Sequence, residues 1–178
     1  IVIHKKDQTG RSLPGIEFTV YKDYLPIAKM VTDINGEASL DKLVADGRYR
    51  IVETYAPPQY QFPSFDYTVD FLQEEEKKDE PQDGYYVSFD KKKLEITFDI
   101  SNEELFGSVT IKKQDAEKRT IPVKGAEFNL YDRFTGEQVG GTQTTNEEGI
   151  CRFSDLKLVN PTVSFQQGHY YIEEVTPG

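Results

Sequence analysis

The sequence predicts an all-β chain: two tandem antiparallel β-sandwich domains, the second lacking its closing strand. Three observations carry this. Apolar residues alternate with polar ones on a two-residue period through most of the chain, the signature of strands with one buried face. No segment shows a helical period. Four sequence blocks occur twice in the same order, so the repeated unit is a domain rather than a short solenoid turn.

In the first unit, Ile1, Ile3 and Lys5 share one strand face, and Ile16, Phe18 and Val20 share the next. Asn35-Gly36 is a turn signal before a further strand. Tyr49, Ile51 and Glu53 alternate just ahead of a Pro-rich turn. An insertion covers roughly residues 57–93: a Pro/Phe/Tyr segment, the acidic run QEEEKKDEPQD, then YYVSF and KKK. The acidic run lacks the ligand spacing and glycine of an EF-hand and reads as a solvated loop. The strand LEITFDISN follows, with Leu94, Ile96, Phe98, Ile100 and Asn102 on one face, and closes the unit. Glu103 to Gly107 read as a short linker, which sets domains at 1–104 and 105–178.

The second unit repeats these blocks. VTIKKQDAEK matches IVIHKKDQTG, VKGAEFNLYDR matches LPGIEFTVYKD, TNEEGICRFSDL matches TDINGEASLDKL, and YYIEEVTPG matches YRIVETYAP. Val109, Ile111 and Lys113 therefore align with Ile1, Ile3 and Lys5, and Tyr170, Ile172 and Glu174 with Tyr49, Ile51 and Glu53. No counterpart of LEITFDISN follows. The chain begins inside a strand, so the sequence reads as a fragment of a longer protein. Truncation of the second unit's last strand is the favoured reading, and its supply by another chain the alternative.

Composition excludes several functions. A net charge of −10 argues against nucleic acid, which needs a basic face. No apolar run reaches membrane-spanning length, and no signal peptide is present. Cys151, the single cysteine, cannot form an internal disulfide and reads as a small buried hydrophobe. His4 and His169 lack ligand-like spacing, so no metal site and no cofactor is expected.

Alternation places three polar residues, Lys5, Glu53 and Asn102, on core faces at the ends of their apolar runs. One reading is a buried Lys5–Glu53 ion pair with Asn102 as hydrogen-bonding neighbour. The other is covalent. Burial disfavours both charges, leaving a neutral, nucleophilic amine and a protonated carboxyl able to polarise the Asn102 carboxamide. Attack by Lys5 Nζ would expel ammonia and leave an amide crosslink.

The K-x-D first strand, the GxEFxxYxx block, the T-x-x-x-G turn and the Y-x-I-x-E-T-x-A-P block resemble the Cna-B family, the SpaA-type stalk and pilin domains of Gram-positive surface proteins. The resemblance implies two tandem Ig-like sandwiches. It implies an autocatalytic Lys–Asn (or Lys–Asp) isopeptide bond between first and last strands, with Lys5 as nucleophile, Asn102 as acceptor and Glu53 assisting. In the second unit Lys113 and Glu174 match, with EEVTPG in place of E-T-x-A-P and Glu173 a weaker candidate. Asn129, Asn146 and Asn160 do not end a closing strand, so the unit holds no acceptor. The implied role is structural rather than enzymatic, on the cell-wall surface, with adjacent domains or pilin subunits as partners. No LPxTG or YPKN motif distinguishes pilin from stalk. A rival reading is an adhesin module binding host glycan or matrix protein through Tyr55, Tyr60, Phe62, Phe65 and Tyr67 of the insertion. Against those five stands a role in capping the sandwich end or filling the interdomain contact. A hydrolase using Glu53 lacks a second carboxylate.

Overall fold

The computed structural model describes residues 1–44, 47–61, 65–159 and 168–177, and divides the chain into two units, Ile1–Glu104 and Leu105–Gly178. Every regular element among the described residues is a strand, and no helix is long and apolar enough to cross a membrane.

The first unit carries nine strands: β1 (Val2–Asp7), β2 (Glu17–Lys22), β3 (Leu25–Val31), β4 (Glu37–Ser39), β5 (Arg48–Tyr55), β6 (Asp66–Asp70), β7 (Lys77–Gln82), β8 (Tyr85–Asp90) and β9 (Glu95–Asn102). They form a five-stranded sheet, β4-β1-β9-β8-β7, and a four-stranded sheet, β3-β2-β5-β6. The alternating apolar faces meet in one core: Ile3, Ile96 and Phe98 from the first sheet pack with Phe18, Val20, Ile51 and Val69 from the second. Burying each of these side chains contributes about 1.5–3 kcal/mol. Rings bridge the sheets, with Phe98 edge-on to Phe65 at 5.2 Å and to Tyr67 at 4.9 Å.

Three features of this unit differ from the sequence reading. β1 and β9, the first and last strands, pair in parallel, with Asp7 opposite Asn102. The acidic run expected as a solvated loop contains an edge strand, β7, whose residues Lys78 to Gln82 are exposed. Charges and Pro81 on such an edge discourage pairing with other chains, and they also erase the apolar alternation that marks a strand. Leu94, expected to open the inward face of the closing strand, precedes β9 with φ 51° and is 43% exposed.

The second unit comprises β10 (Phe106–Lys112), β11 (Glu127–Asp132), β12 (Gln143–Thr144), β13 (Ile150–Lys157) and β14 (Tyr170–Thr176). β10 pairs with β13, and β11 lies between β12 and β14. Ala126, Phe128, Leu130, Cys151, Phe153 and Leu156 form the core, with Val109, Ile111, Val139 and Tyr170 packed partly buried against it. Where β1 has two neighbours, β4 and β9, its counterpart β10 has only β13 among the described residues.

Candidate functional site

The backbone sets the positions of Lys5, Glu53 and Asn102 before their side chains act. Lys5 N donates to Gly36 O at 2.7 Å, and Lys5 O accepts from Leu13 N at 2.9 Å. Gly36 holds φ +75°, and a Cβ there would run into the Lys5 carbonyl, so the Asn35-Gly36 turn needs its glycine to close on β1. Glu53 comes from β5 on the opposite sheet, with its N–H bonded to Phe65 O at 3.1 Å. Asn102 is the last residue of β9, one pleat beyond the register position of Lys5. The long lysine side chain spans that step.

The three side chains meet in a dry pocket, at 0%, 2% and 1% exposure for Lys5, Glu53 and Asn102. Lys5 Nζ donates to Asn102 Oδ1. Asn102 Nδ2 donates to Glu53 Oε1 at 3.0 Å, and Lys5 Nζ lies 3.6 Å from Glu53 Oε2. Burial pulls the Lys5 amine down from its ordinary value to about 8, with the Glu53 charge opposing the shift. Burial also pushes the Glu53 carboxyl above its ordinary value, against the pull of Lys5 and the Asn102 hydrogen bond. Both shifts favour the neutral forms, an amine with a free lone pair and a carboxylic acid. Glu53 Oε2 has no hydrogen-bond partner among the described residues, which suits an oxygen carrying a transferable proton.

The second unit repeats half of this arrangement. Lys113 N donates to Gly149 O at 2.8 Å, and Gly149 at φ +70° approaches the Lys113 carbonyl as Gly36 approaches that of Lys5. Lys113 Nζ sits 2.8 Å from Glu174 Oε1 and 3.0 Å from Oε2. The side chains are 29% and 34% exposed, in contrast to the sealed pocket of the first unit. Glu173, the weaker candidate, is exposed on β14 opposite Asn129. Asn129 Oδ1 accepts from Gln138 and Thr142, and Asn146 caps its own turn through Glu148 N and Ile150 N. Asn160 lies outside the described residues.

Residues 1–84 and 107–177 match the family described as SpaA: Prealbumin-like fold domain, most of both units. The chain belongs to this SpaA family. Among solved structures, the SpaA-type chain is similar to the Bacillus anthracis TIE protein, at 21% identity and a TM-score of 0.70, over 98% of this chain and 27% of that one. It is also similar to the C-terminal fragment of the pilus adhesin SpaC from Lactobacillus rhamnosus GG, at 16% identity and a TM-score of 0.57, over 99% of this chain and 74% of that fragment. A second SpaC structure matches at 18% identity and a TM-score of 0.56, over 98% of this chain and 24% of that one. At these identities the likeness establishes the fold, and the chain spans about a quarter of the TIE protein. No curated protein matches the sequence.

In the first SpaA-type unit, Tyr60, Phe65 and Tyr67 of the aromatic cluster serve packing. Tyr60 and Phe65 are 7% and 3% exposed, and Tyr67 packs against the core between Tyr85 and Phe98. Tyr55 is 44% exposed, and Phe62 lies outside the described residues. The enclosed rings of Tyr60, Phe65 and Tyr67 offer no stacking platform to a ligand. Cys151 in the second unit is free and buried, with its thiol pushed up by burial, away from a reactive thiolate. Sequence alternation did not single out Gln8, Arg11 and Tyr60, which surround the exit of β9. They sit in loops, where the two-residue period is silent.

Proposed function

We propose that Lys5 and Asn102 form an autocatalytic intramolecular isopeptide bond, and that the chain is a structural stalk or pilus segment of a Gram-positive surface protein. The observation that carries the chemistry is the sealed convergence of Lys5, Glu53 and Asn102 from the first, a middle and the last strand of one unit. The neutral Lys5 amine attacks the Asn102 side-chain carbonyl carbon. Glu53, protonated, hydrogen-bonds the carboxamide, stabilises charge on the developing tetrahedral centre and relays the amine proton to the departing nitrogen. A C–N bond forms to Nζ, the Cγ–Nδ2 bond breaks, and ammonia leaves. Folding itself supplies the proximity that makes so sluggish an aminolysis feasible. The reaction occurs once per molecule, so the protein is no turnover enzyme.

In the second unit, Lys113 and Glu174 are the nucleophile and assisting acid of an equivalent site. Bonds of this kind suit a segment held between neighbouring domains or pilin subunits on the cell wall. Membership of the SpaA family and the fold shared with a pilus adhesin fragment support that setting.

Intact mass under denaturing, reducing conditions tests the proposal. The expected result for this polypeptide is a deficit of one ammonia, abolished by Lys5→Ala and by Glu53→Ala. An undiminished mass refutes the covalent reading and leaves a buried ion pair.

A further inference from the structure

Asn102 is a short side chain at the end of a strand, where backbones fray. Lys5 can adjust through four methylenes. Asn102 cannot, so its carbonyl carbon goes wherever its backbone goes. The structure pins that backbone from two sides. On the β1 side, Gln8 N donates to Asn102 O at 3.1 Å, and Glu104 N donates to Gln8 Oε1 at 2.9 Å. On the other side, Gln61 N donates to Glu103 O at 2.7 Å, and Tyr60 forms an antiparallel bridge with Glu104.

A single guanidinium joins the two sides. Arg11 Nε donates to Asp7 Oδ2 at 2.9 Å, Arg11 Nη2 donates to Tyr60 Oη at 2.7 Å, and Nη2 lies 4.0 Å from Glu104 Oε2. Asp7 is the register partner of Asn102, Tyr60 belongs to the turn after the strand of Glu53, and Glu104 lies in the exit from β9. One side chain therefore reaches all three segments that carry the reacting groups. Asp7 is fit to anchor it. Burial pushes its carboxyl up, but bonds from Thr9 and Arg11 outweigh this and hold it below its ordinary value. The planar fork of arginine engages two partners at fixed angles, which a lysine could not do.

We infer that Arg11 and Tyr60 are positioning residues for the crosslink: they bolt the turn after β5 to the end of β1 and hold Asn102 at attack distance. This rests on the isopeptide reading above. Displacing an acceptor by about 1 Å can cost 100-fold in rate. The test is a time course of ammonia loss by denaturing mass spectrometry on the whole chain, freshly made by cell-free synthesis. Arg11→Ala is expected to slow the loss about 10–100-fold. Tyr60→Phe, which keeps the ring and removes one hydrogen bond, is expected to slow it about 5-fold. Both variants are expected to reach the same final mass, with a pH profile of unchanged midpoint, because the protonation of Lys5 and Glu53 is untouched. Val69→Ala, a core deletion away from the bolt, controls for general destabilisation and is expected to stay near the wild-type rate.

Wild-type rates in Arg11→Ala, or equal slowing in Val69→Ala, overturn the positioning role while leaving the crosslink standing. A wild-type chain that keeps its ammonia overturns the crosslink reading and this inference with it.

Discussion

Replacing Asn102 by alanine isolates what the proposed bond contributes. The variant keeps the Lys5–Glu53 pair but has no acceptor, so its mass is expected to be undiminished. In the native chain the bond would close a loop between residues 97 positions apart. Chain-entropy arguments for a crosslink of that span give about 4–5 kcal/mol. The variant also leaves Lys5 and Glu53 as a buried pair without the carbonyl and amide N–H of the crosslink beside them, adding about 1–2 kcal/mol. For a domain of this size each kcal/mol shifts the melting temperature by about 4–8 °C, so the expected drop is about 20–55 °C. Calorimetry is the suitable assay, because two units can give two transitions and only the first unit's should move. The outcome that refutes the reasoning is a wild-type chain with the ammonia deficit whose first-unit transition falls by under about 5 °C in Asn102→Ala. The bond would then exist without constraining the unfolded chain in the way supposed.

Four further outcomes are expected. Asn102→Asp should still crosslink, now with loss of one water, and intact mass reads this directly; an uncrosslinked product would show that ammonia departure is indispensable. In uncrosslinked Asn102→Ala, stability should depend on pH through two groups. Lys5, lowered to about 8 from 10.5, binds fewer protons folded than unfolded between those values, so stability should climb with pH across that window. Glu53, raised above 4.5, binds more protons folded, so stability should fall as pH rises from 4.5 through its raised value; urea titrations of Asn102→Ala against Lys5→Met/Asn102→Ala and Glu53→Gln/Asn102→Ala separate the two contributions. Gly36→Ala should cost about 1–3 kcal/mol by denaturant unfolding, since alanine resists φ +75° and its Cβ meets the Lys5 carbonyl. Lys113→Ala should change the second unit by under about 1 kcal/mol and leave the mass deficit intact, because its ion pair with Glu174 is partly solvated.

Alternation made much of the first unit legible. An inward phase that runs Ile1, Ile3, Lys5 or Ile96, Phe98, Ile100, Asn102 continues to the strand's end whatever the last residue is, and the structure buries those polar ends together. The same logic failed where the physics differs. β7 sits on a sheet edge with charged residues facing solvent, so it carries no apolar period. Leu94 looks inward by count, but the chain turns through a left-handed conformation there. The parallel pairing of β1 with β9 leaves no mark in either strand's own sequence. Arg11 and Tyr60 meet across 49 residues of chain from irregular segments, and only three-dimensional proximity reveals that they are partners. The aromatic insertion was legible as a cluster, but the burial of Phe65 and Tyr67 depended on their packing against Tyr85 of β8 and Phe98 of β9.

The parallel register of β1 and β9 has a consequence for extensibility. Tension applied along parallel neighbouring strands enters at the start of one and leaves at the end of the other. Were Lys5 joined to Asn102 as proposed, the pull would pass along a few residues of β1, across one amide, and out. The intervening stretch of about 97 residues, about 330 Å of extended contour, would then never be put under strain. A unit crosslinked in this way would not act as a spring or a shock absorber that lengthens by unravelling. A filament made from such units would keep its reach from the cell constant until a covalent bond failed.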